Sequence, residues 1–305
     1  MRSIVAKLMV GAIPALLLAG AVSAEPPREA EDAREIVVTG TRENKRAASE
    51  FIDSIMLDHD NQLARFHAGI CPATMGLPEG HAAAVMNRIR DVAATAGLDL
   101  AGPRCRPNLV VVVADSGRDF VTAFRKKRPR LFYDLRQRET AELFAAGAPA
   151  RAWQIVERRE ADGRVAEQFV EGVGYRPEAH LMPHMQSSRL QKSTRSDLAL
   201  SFVVFDIAGV EGLTLTQLAD YAAMRALAST RPPAKAGGPR SILRLFDDPK
   251  QGIAPAAALT KWDMAYLKAL YATNGTMMAW QERGRMVRRV RQELAGKGAE
   301  PARRR

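Results

Sequence analysis

The run Leu198-Ala-Leu-Ser-Phe-Val-Val-Phe205 leads into Leu215-Thr-Gln-Leu-Ala-Asp-Tyr-Ala-Ala-Met-Arg-Ala-Leu227. After a Pro/Gly-rich break come Ser241-Ile-Leu-Arg-Leu-Phe246 and Leu259-Thr-Lys-Trp-Asp-Met-Ala-Tyr-Leu-Lys-Ala-Leu-Tyr271. The first segment has strand length and a continuous apolar face, whereas the second repeats its apolar residues at helical spacing. In that helix Leu215, Leu218, Ala222 and Leu227, with Ala219 and Ala226, form the apolar stripe, which leaves Asp220 and Arg225 on the solvent side. Thr260 is the predicted N-cap of the last helix. Strand, helix, turn and helix in that order are expected to pack as one unit.

Upstream, Asn108-Leu-Val-Val-Val-Val-Ala-Asp115 is apolar at every position of strand length, which predicts a strand buried on both faces. Glu79 to Ala96 predicts a helix with Val85, Ile89, Val92 and Ala96 on one face and Gly97 ending it. Ser116-Gly117 starts another helix through Phe120, Val121 and Phe124. From Ser49 to Phe66 the pattern predicts short helical or irregular packing, and His67 to Pro78 reads as a punctuated loop. Leu131 to Ala146 reads as mostly helical. Trp153–Glu157 and Val165–Val170 around Ala-Asp-Gly-Arg at 161–164 predict a hairpin, with Arg189–Arg195 and Leu198–Phe205 a second strand pair. Together these predict an α+β fold, a mixed sheet packed with helices, forming a single domain over 49–275. A leader precedes it over 25–48 and a basic helix and tail follow over 276–305.

The chain has 305 residues and a formal charge of +11, with ordinary hydrophobic (47%) and charged (26%) content. Residues 281–305 hold nine basic and three acidic side chains, so the charge is concentrated on the tail and the body is only mildly basic. The run Arg125-Lys-Lys-Arg-Pro-Arg130 lacks interleaved aromatics and reads as a solvated helix end near its dipole, not as a nucleic-acid site. From Met277 to Leu294 a cationic helix carries Trp280, Val287, Val290 and Leu294 as a stripe. It suits either an anionic membrane surface or a solvated terminus.

Arg2 and Lys7, the apolar run Leu8–Ala19 and Val22-Ser23-Ala24 compose a secretory signal with cleavage before Glu25, and hence a periplasmic or secreted protein. The run is short of a membrane span and contains Pro14. Export makes Cys71 and Cys105, the only cysteines, a candidate disulfide; the competing reading, a catalytic thiol, has no poised base beside either. His180 and His184 could share a helix face, with Met182 or Met185 as soft donors, but Pro183 interrupts that helix. A polar loop is the simpler reading. No Gly-x-Ser-x-Gly elbow, P-loop or dinucleotide fingerprint occurs, and no cofactor is implied.

Two resemblances add to this. Glu35-Ile36-Val37-Val38-Thr39-Gly40-Thr-Arg42 resembles the TonB box of TonB-dependent outer-membrane receptors. The resemblance implies a leashed strand that adds to the sheet edge of an envelope partner. The chain is far too short for a receptor barrel. The segment 195–272 is similar to the catalytic half of metzincin-type zincin peptidases. Ser241-Ile242-Leu243 sits where those enzymes write Ser-Ile-Met in the Met-turn. Leu259-Thr260, Asp263 and Leu270-Tyr271 match their closing helix. Aligned on the His-Glu-x-x-His motif, Ala219 and Ala223 occupy the ligand positions and Asp220 the acidic one. All five histidines (59, 67, 81, 180 and 184) lie upstream of this helix, so the resemblance implies a framework without its zinc chemistry. The expectation is an exported, envelope-associated binding or scaffolding protein with a degenerate zincin-like C-terminal half. The alternative is a hydrolase or metal-binding enzyme whose site no motif reveals, using Asp220 and the His180–His184 loop.

Overall fold

The computed structural model describes residues 41–164, 192–234, 238–247, 254–273 and 275–296, with side chains from residue 44. The chain divides into Met1–Val38 and a compact unit from Thr39 onward. Residues 35–40, the 165–170 arm and the His180–His184 loop lie outside the described residues, and so does the leader.

The compact unit begins with helix α1 (Thr41–Ile55), which takes in the last two positions of the TonB-box-like segment and starts earlier than the expected domain boundary. Its buried side chains Ala48, Phe51, Ile52 and Ile55 recur at helical spacing. Strand β1 (Pro72–Met75) forms where a loop is expected. Pro72 is acceptable there because it opens an edge strand. Gly76 follows with φ +79°, and a Cβ on it would lie 1.9 Å from the Val113 carbonyl oxygen, so this strand end demands glycine. Helix α2 (Glu79–Thr95) buries Val85, Ile89, Val92 and Ala93 and ends at Gly97, whose φ is +90°.

Strand β2 (Leu109–Ala114) is followed by α3 (Gly117–Lys127), whose N-cap Ser116 accepts a 3.2 Å bond from the Asp119 N–H. A 3-10 turn (Pro129–Phe132) and helix α4 (Gln137–Leu143) lead to β3 (Ala150–Glu160). Next comes β4 (Thr194–Asp206), a single strand where a second strand pair is expected over 189–205. A short helix α5 (Ile207–Val210), then α6 (Leu215–Ala226), a 3-10 turn (Ile242–Arg244), α7 (Lys261–Tyr271) and α8 (Ala279–Leu294) complete the chain.

The fold is α+β, with one mixed four-stranded sheet in the order β1-β2-β4-β3. The pairs β1–β2 and β2–β4 are parallel, whereas β3 lies antiparallel to β4 as an edge strand. Over Ala150–Glu160 the partner of β3 is β4, and the second arm of the expected hairpin, 165–170, lies outside the described residues. The turn after Glu160 forms, with Gly163 at φ +95° and the Glu160 N–H donating to the Arg164 carbonyl at 2.8 Å, and β3 pairs along its length with β4. Two cores flank the sheet, consistent with a central β2 that is apolar on both faces. The larger joins α1, α2, α6, α7 and α8 to one face. The smaller is aromatic and covers the other face, where Trp153 stacks on Phe202 at 4.5 Å and on Phe132 at 5.2 Å.

The disulfide Cys71–Cys105 is formed, with Cα atoms 6.0 Å apart. It ties the start of β1 to the loop before β2. Helix α8 packs on α1 and α7 and belongs to the domain. Its buried face is Ala279, Glu282, Met286, Val287 and Val290, while Trp280 is 62% exposed and so leaves the expected stripe. Glu282 enters the core because the guanidinium of Arg65, itself 2% exposed, pairs with it and donates to the Leu270 and Thr273 carbonyls at 2.7 and 2.9 Å. With Val287 and Val290 committed to the core, the exposed side of α8 carries arginines such as Arg285 and Arg288.

Candidate functional site

Helix α6 is placed by bonds at both ends and along its side. Thr214 and Gln217 form a capping box, the Thr214 hydroxyl accepting from the Gln217 N–H at 3.1 Å and the Gln217 amide oxygen accepting from the Thr214 N–H at 3.0 Å. Near its C-terminus the Ser201 hydroxyl of β4 donates to the Ala226 carbonyl at 2.9 Å. On the flank facing α2, the Arg88 guanidinium donates to both oxygens of Asp220, at 2.7 and 3.0 Å, and the Leu259 N–H adds a third bond at 2.6 Å. Asp220 is fully buried, correcting the expected solvent-facing position. Its two oxygens are committed to holding α2, α6 and the approach to α7 together, which removes it from any role as a solvent-reaching catalytic acid.

The Ser241 turn joins the same assembly through Asp263 of α7. The Asp263 carboxylate accepts from the Ser241 hydroxyl at 2.5 Å, the Ile242 N–H at 2.9 Å, and the Thr260 N–H and hydroxyl at 3.0 and 2.8 Å. Burial pushes its carboxyl above the ordinary range, and these donors oppose that shift. Ser241, Ile242 and Leu243 are all buried. The expected packing of helix, turn and closing helix is thus present, joined by two buried aspartates.

Ala219 and Ala223 face the large core and are fully buried. On another flank of α6 stand Tyr221 and Arg225, one turn apart. They line a cavity of about 420 Å³ between α6, the edge strand β3, α4 and residues 230–234. From β3 the Gln154 amide reaches across to donate to the Arg225 carbonyl at 2.6 Å. Apolar wall comes from Leu57, Leu135, Leu143, Pro232 and Pro233, and acidic side chains from Asp134, Glu139 and Glu142.

The polar groups of this cavity differ in how they are held. Arg151 is a strut: it donates to the Ala148 and Ala145 carbonyls at 2.7 and 2.9 Å and pairs with Asp206. His59 makes a 3.1 Å bond with the Ser229 hydroxyl, and burial holds its imidazole below the usual range, so it is neutral near pH 7. Tyr221 packs edge-on against Phe246 at 4.9 Å, and burial raises its phenol pKa, keeping it protonated. Arg225 is 9% exposed, and its Nε and Nη1 are buried with no hydrogen-bond partner. The indole N–H of Trp153, which also lines the cavity, is likewise buried without an acceptor. Arg151 Nε is buried without a partner as well; buried donors are ordinarily satisfied, so unsatisfied donors on three residues around one cavity stand out.

Sequence reasoning put Arg225 on the solvent face. Its setting, Ala222-Ala-Met-Arg-Ala-Leu-Ala228, is an arginine within an otherwise apolar run, four residues from Tyr221. That was the available signal. Among the described residues no group of three or more His, Cys, Asp or Glu could hold a metal ion, and no helix is long and apolar enough to cross a membrane. No family model matches the chain, and neither curated proteins nor solved structures yield a match.

Proposed function

We propose that this is an exported, non-catalytic binding protein built on a degenerate zincin-like framework, with the cleft between β3 and α6 as its binding site. The observation that carries this reading is the identity of the α6 side chains facing the cleft, a protonated phenol at Tyr221 and a guanidinium at Arg225. A hydrolytic zinc helix presents neutral imidazoles to its cleft, whereas here the aligned positions, Ala219 and Ala223, face the core. A permanent cation instead repels a divalent metal and offers hydrogen bonds to an acceptor. The zincin-like part of the reading is supported by the order strand, helix, Ser-Ile turn and closing helix, held together through Asp220 and Asp263. Export is supported by the leader sequence and by a disulfide suited to an oxidising compartment.

Metal analysis and peptidase assays on the purified protein test this. Less than stoichiometric zinc and no hydrolysis are expected. Stoichiometric zinc that disappears in a His180→Ala/His184→Ala variant would overturn the non-catalytic reading. For the proposed envelope partner, deleting 35–40 spares α1 and removes the Ile-Val-Val-Thr strand. Binding to a purified TonB C-terminal domain is expected in the intact chain and lost in the deletion; equal binding by both would remove the strand from the proposal.

A further inference from the structure

Arg225 is a charge placed where a protein ordinarily keeps none. A guanidinium stays ionised at any ordinary pH, and burying it unpaired is unfavourable unless a counter-charge arrives. The nearby carboxylates are engaged or peripheral: Asp206 pairs with Arg151, Glu142 with Arg138 at 2.9 Å, and Glu139 accepts from the Arg136 N–H at 3.0 Å. The guanidinium of Arg225 has no hydrogen-bond or ion-pair partner among the described residues. It lies nine-tenths buried on the wall of a cavity whose size, about 420 Å³, falls in the range of small-ligand sites.

We infer that this cleft binds a monocarboxylate with an apolar body, its carboxylate taken by the Arg225 guanidinium; the inference rests on reading the cleft as a binding site. The planar guanidinium fork matches a carboxylate. Leu57, Leu135, Leu143, Pro232 and Pro233 provide apolar wall for the rest of the ligand. The buried Trp153 indole N–H supplies a further unsatisfied donor on the same cavity. One buried cation without an ion pair, Arg225, with Asp134, Glu139 and Glu142 set against the half-buried Arg231 on the same lining, suits a single negative charge and disfavours a doubly charged phosphate ester. Two sources share this chemistry, a free aliphatic acid and the C-terminal carboxylate of a peptide ending in an apolar residue.

Calorimetric titration of the full purified chain with two matched pairs tests the inference and separates the sources. Hexanoate is compared with hexanamide, and acetyl-Ala-Ala-Leu with its C-terminal amide. In at least one pair the acid is expected to bind about tenfold tighter than the amide, or more, as a charge-assisted hydrogen bond implies. The pair showing the preference identifies the source. Arg225→Gln is expected to bring acid and amide to near parity without lowering the melting temperature, since it removes an unpaired charge. Acid and amide binding equally in both pairs, no binding by any of the four probes, or hexyl phosphate binding tighter than hexanoate would overturn the inference. The wild-type comparisons decide it even if the variant does not fold. Tight binding of the amides would sink the carboxylate assignment while leaving the non-catalytic cleft standing, whereas zinc-dependent hydrolysis would sink the cleft reading itself.

Discussion

Arg88 on α2 holds both carboxylate oxygens of Asp220 on α6, at 2.7 and 3.0 Å, with Asp220 fully buried and Arg88 39% exposed along its side chain. The two partners are therefore not equivalent. Arg88→Ala leaves an uncompensated carboxylate in the core and is expected to cost about 3 kcal/mol. Asp220→Asn frees a guanidinium that can turn to water and keeps an acceptor for the Leu259 N–H, so about 1–2 kcal/mol is expected. Urea unfolding of both variants checks this. A loss below about 1 kcal/mol for Arg88→Ala would show that the pair does not brace α2 against α6.

Asp263 caps α7 and closes the Ser241 turn through four hydrogen bonds. Asp263→Ala leaves the buried Ser241 hydroxyl and Ile242 N–H without that acceptor, and about 3–4 kcal/mol of destabilisation is expected. Thr260→Ala removes only the reciprocal cap, at about 1 kcal/mol. If the two variants unfold at the same denaturant concentration, the turn does not depend on Asp263.

The Cys71–Cys105 bridge spans 34 positions of sequence. On the chain-entropy account a loop of that size stabilises by about 3–4 kcal/mol. Comparing the protein with a Cys71→Ser/Cys105→Ser variant by chemical denaturation measures it. Two free thiols in the native protein under non-reducing mass spectrometry would contradict the bridge itself.

His59 supplies a pH dependence whose sign follows from its surroundings. Burial lowers its pKa in the fold; Glu139, Asp58 and Asp60 favour the charged form and Arg136 opposes it. The unfolded chain, with a value of about 6.5, then binds more protons over the interval below that pH. The stability contributed by neutral His59 is fully present above about pH 6.5 and is lost as pH falls toward the folded value. His59→Gln keeps a partner for Ser229 and removes the titration. Melting temperatures of wild type and variant are expected to diverge below about pH 6.5, wild type falling faster; parallel curves down to about pH 5 would exclude His59 as the source.

Elements whose causes are local were legible before any coordinates. The all-apolar β2, the helical spacing of α2 and α6, and the caps Ser116 and Thr260 depend on neighbours within a turn of chain. The pairing of β3 with β4 was not legible, because a distant partner is set by tertiary packing, here of Trp153 on Phe202. Nor was the role of α8, since Glu282 enters the core only because Arg65, far away in sequence, is already there.

For the segment 198–271, local pattern was enough to specify a strand, a helix, a Ser-Ile turn and a second, capped helix, and that no histidine stands on the first helix. Tertiary structure alone decided which way that helix faces. A helical pattern rich in alanine fixes period but not orientation, because Ala219, Ala223 and their neighbours suit several buried faces. Arg88 drew Asp220 inward, and the antiparallel edge strand left space beside Tyr221 and Arg225. Charged residues that periodicity assigns to water become buried when a distant element supplies a partner. Arg225 is buried without such a partner, which is why the cleft beside it is the place to seek a ligand.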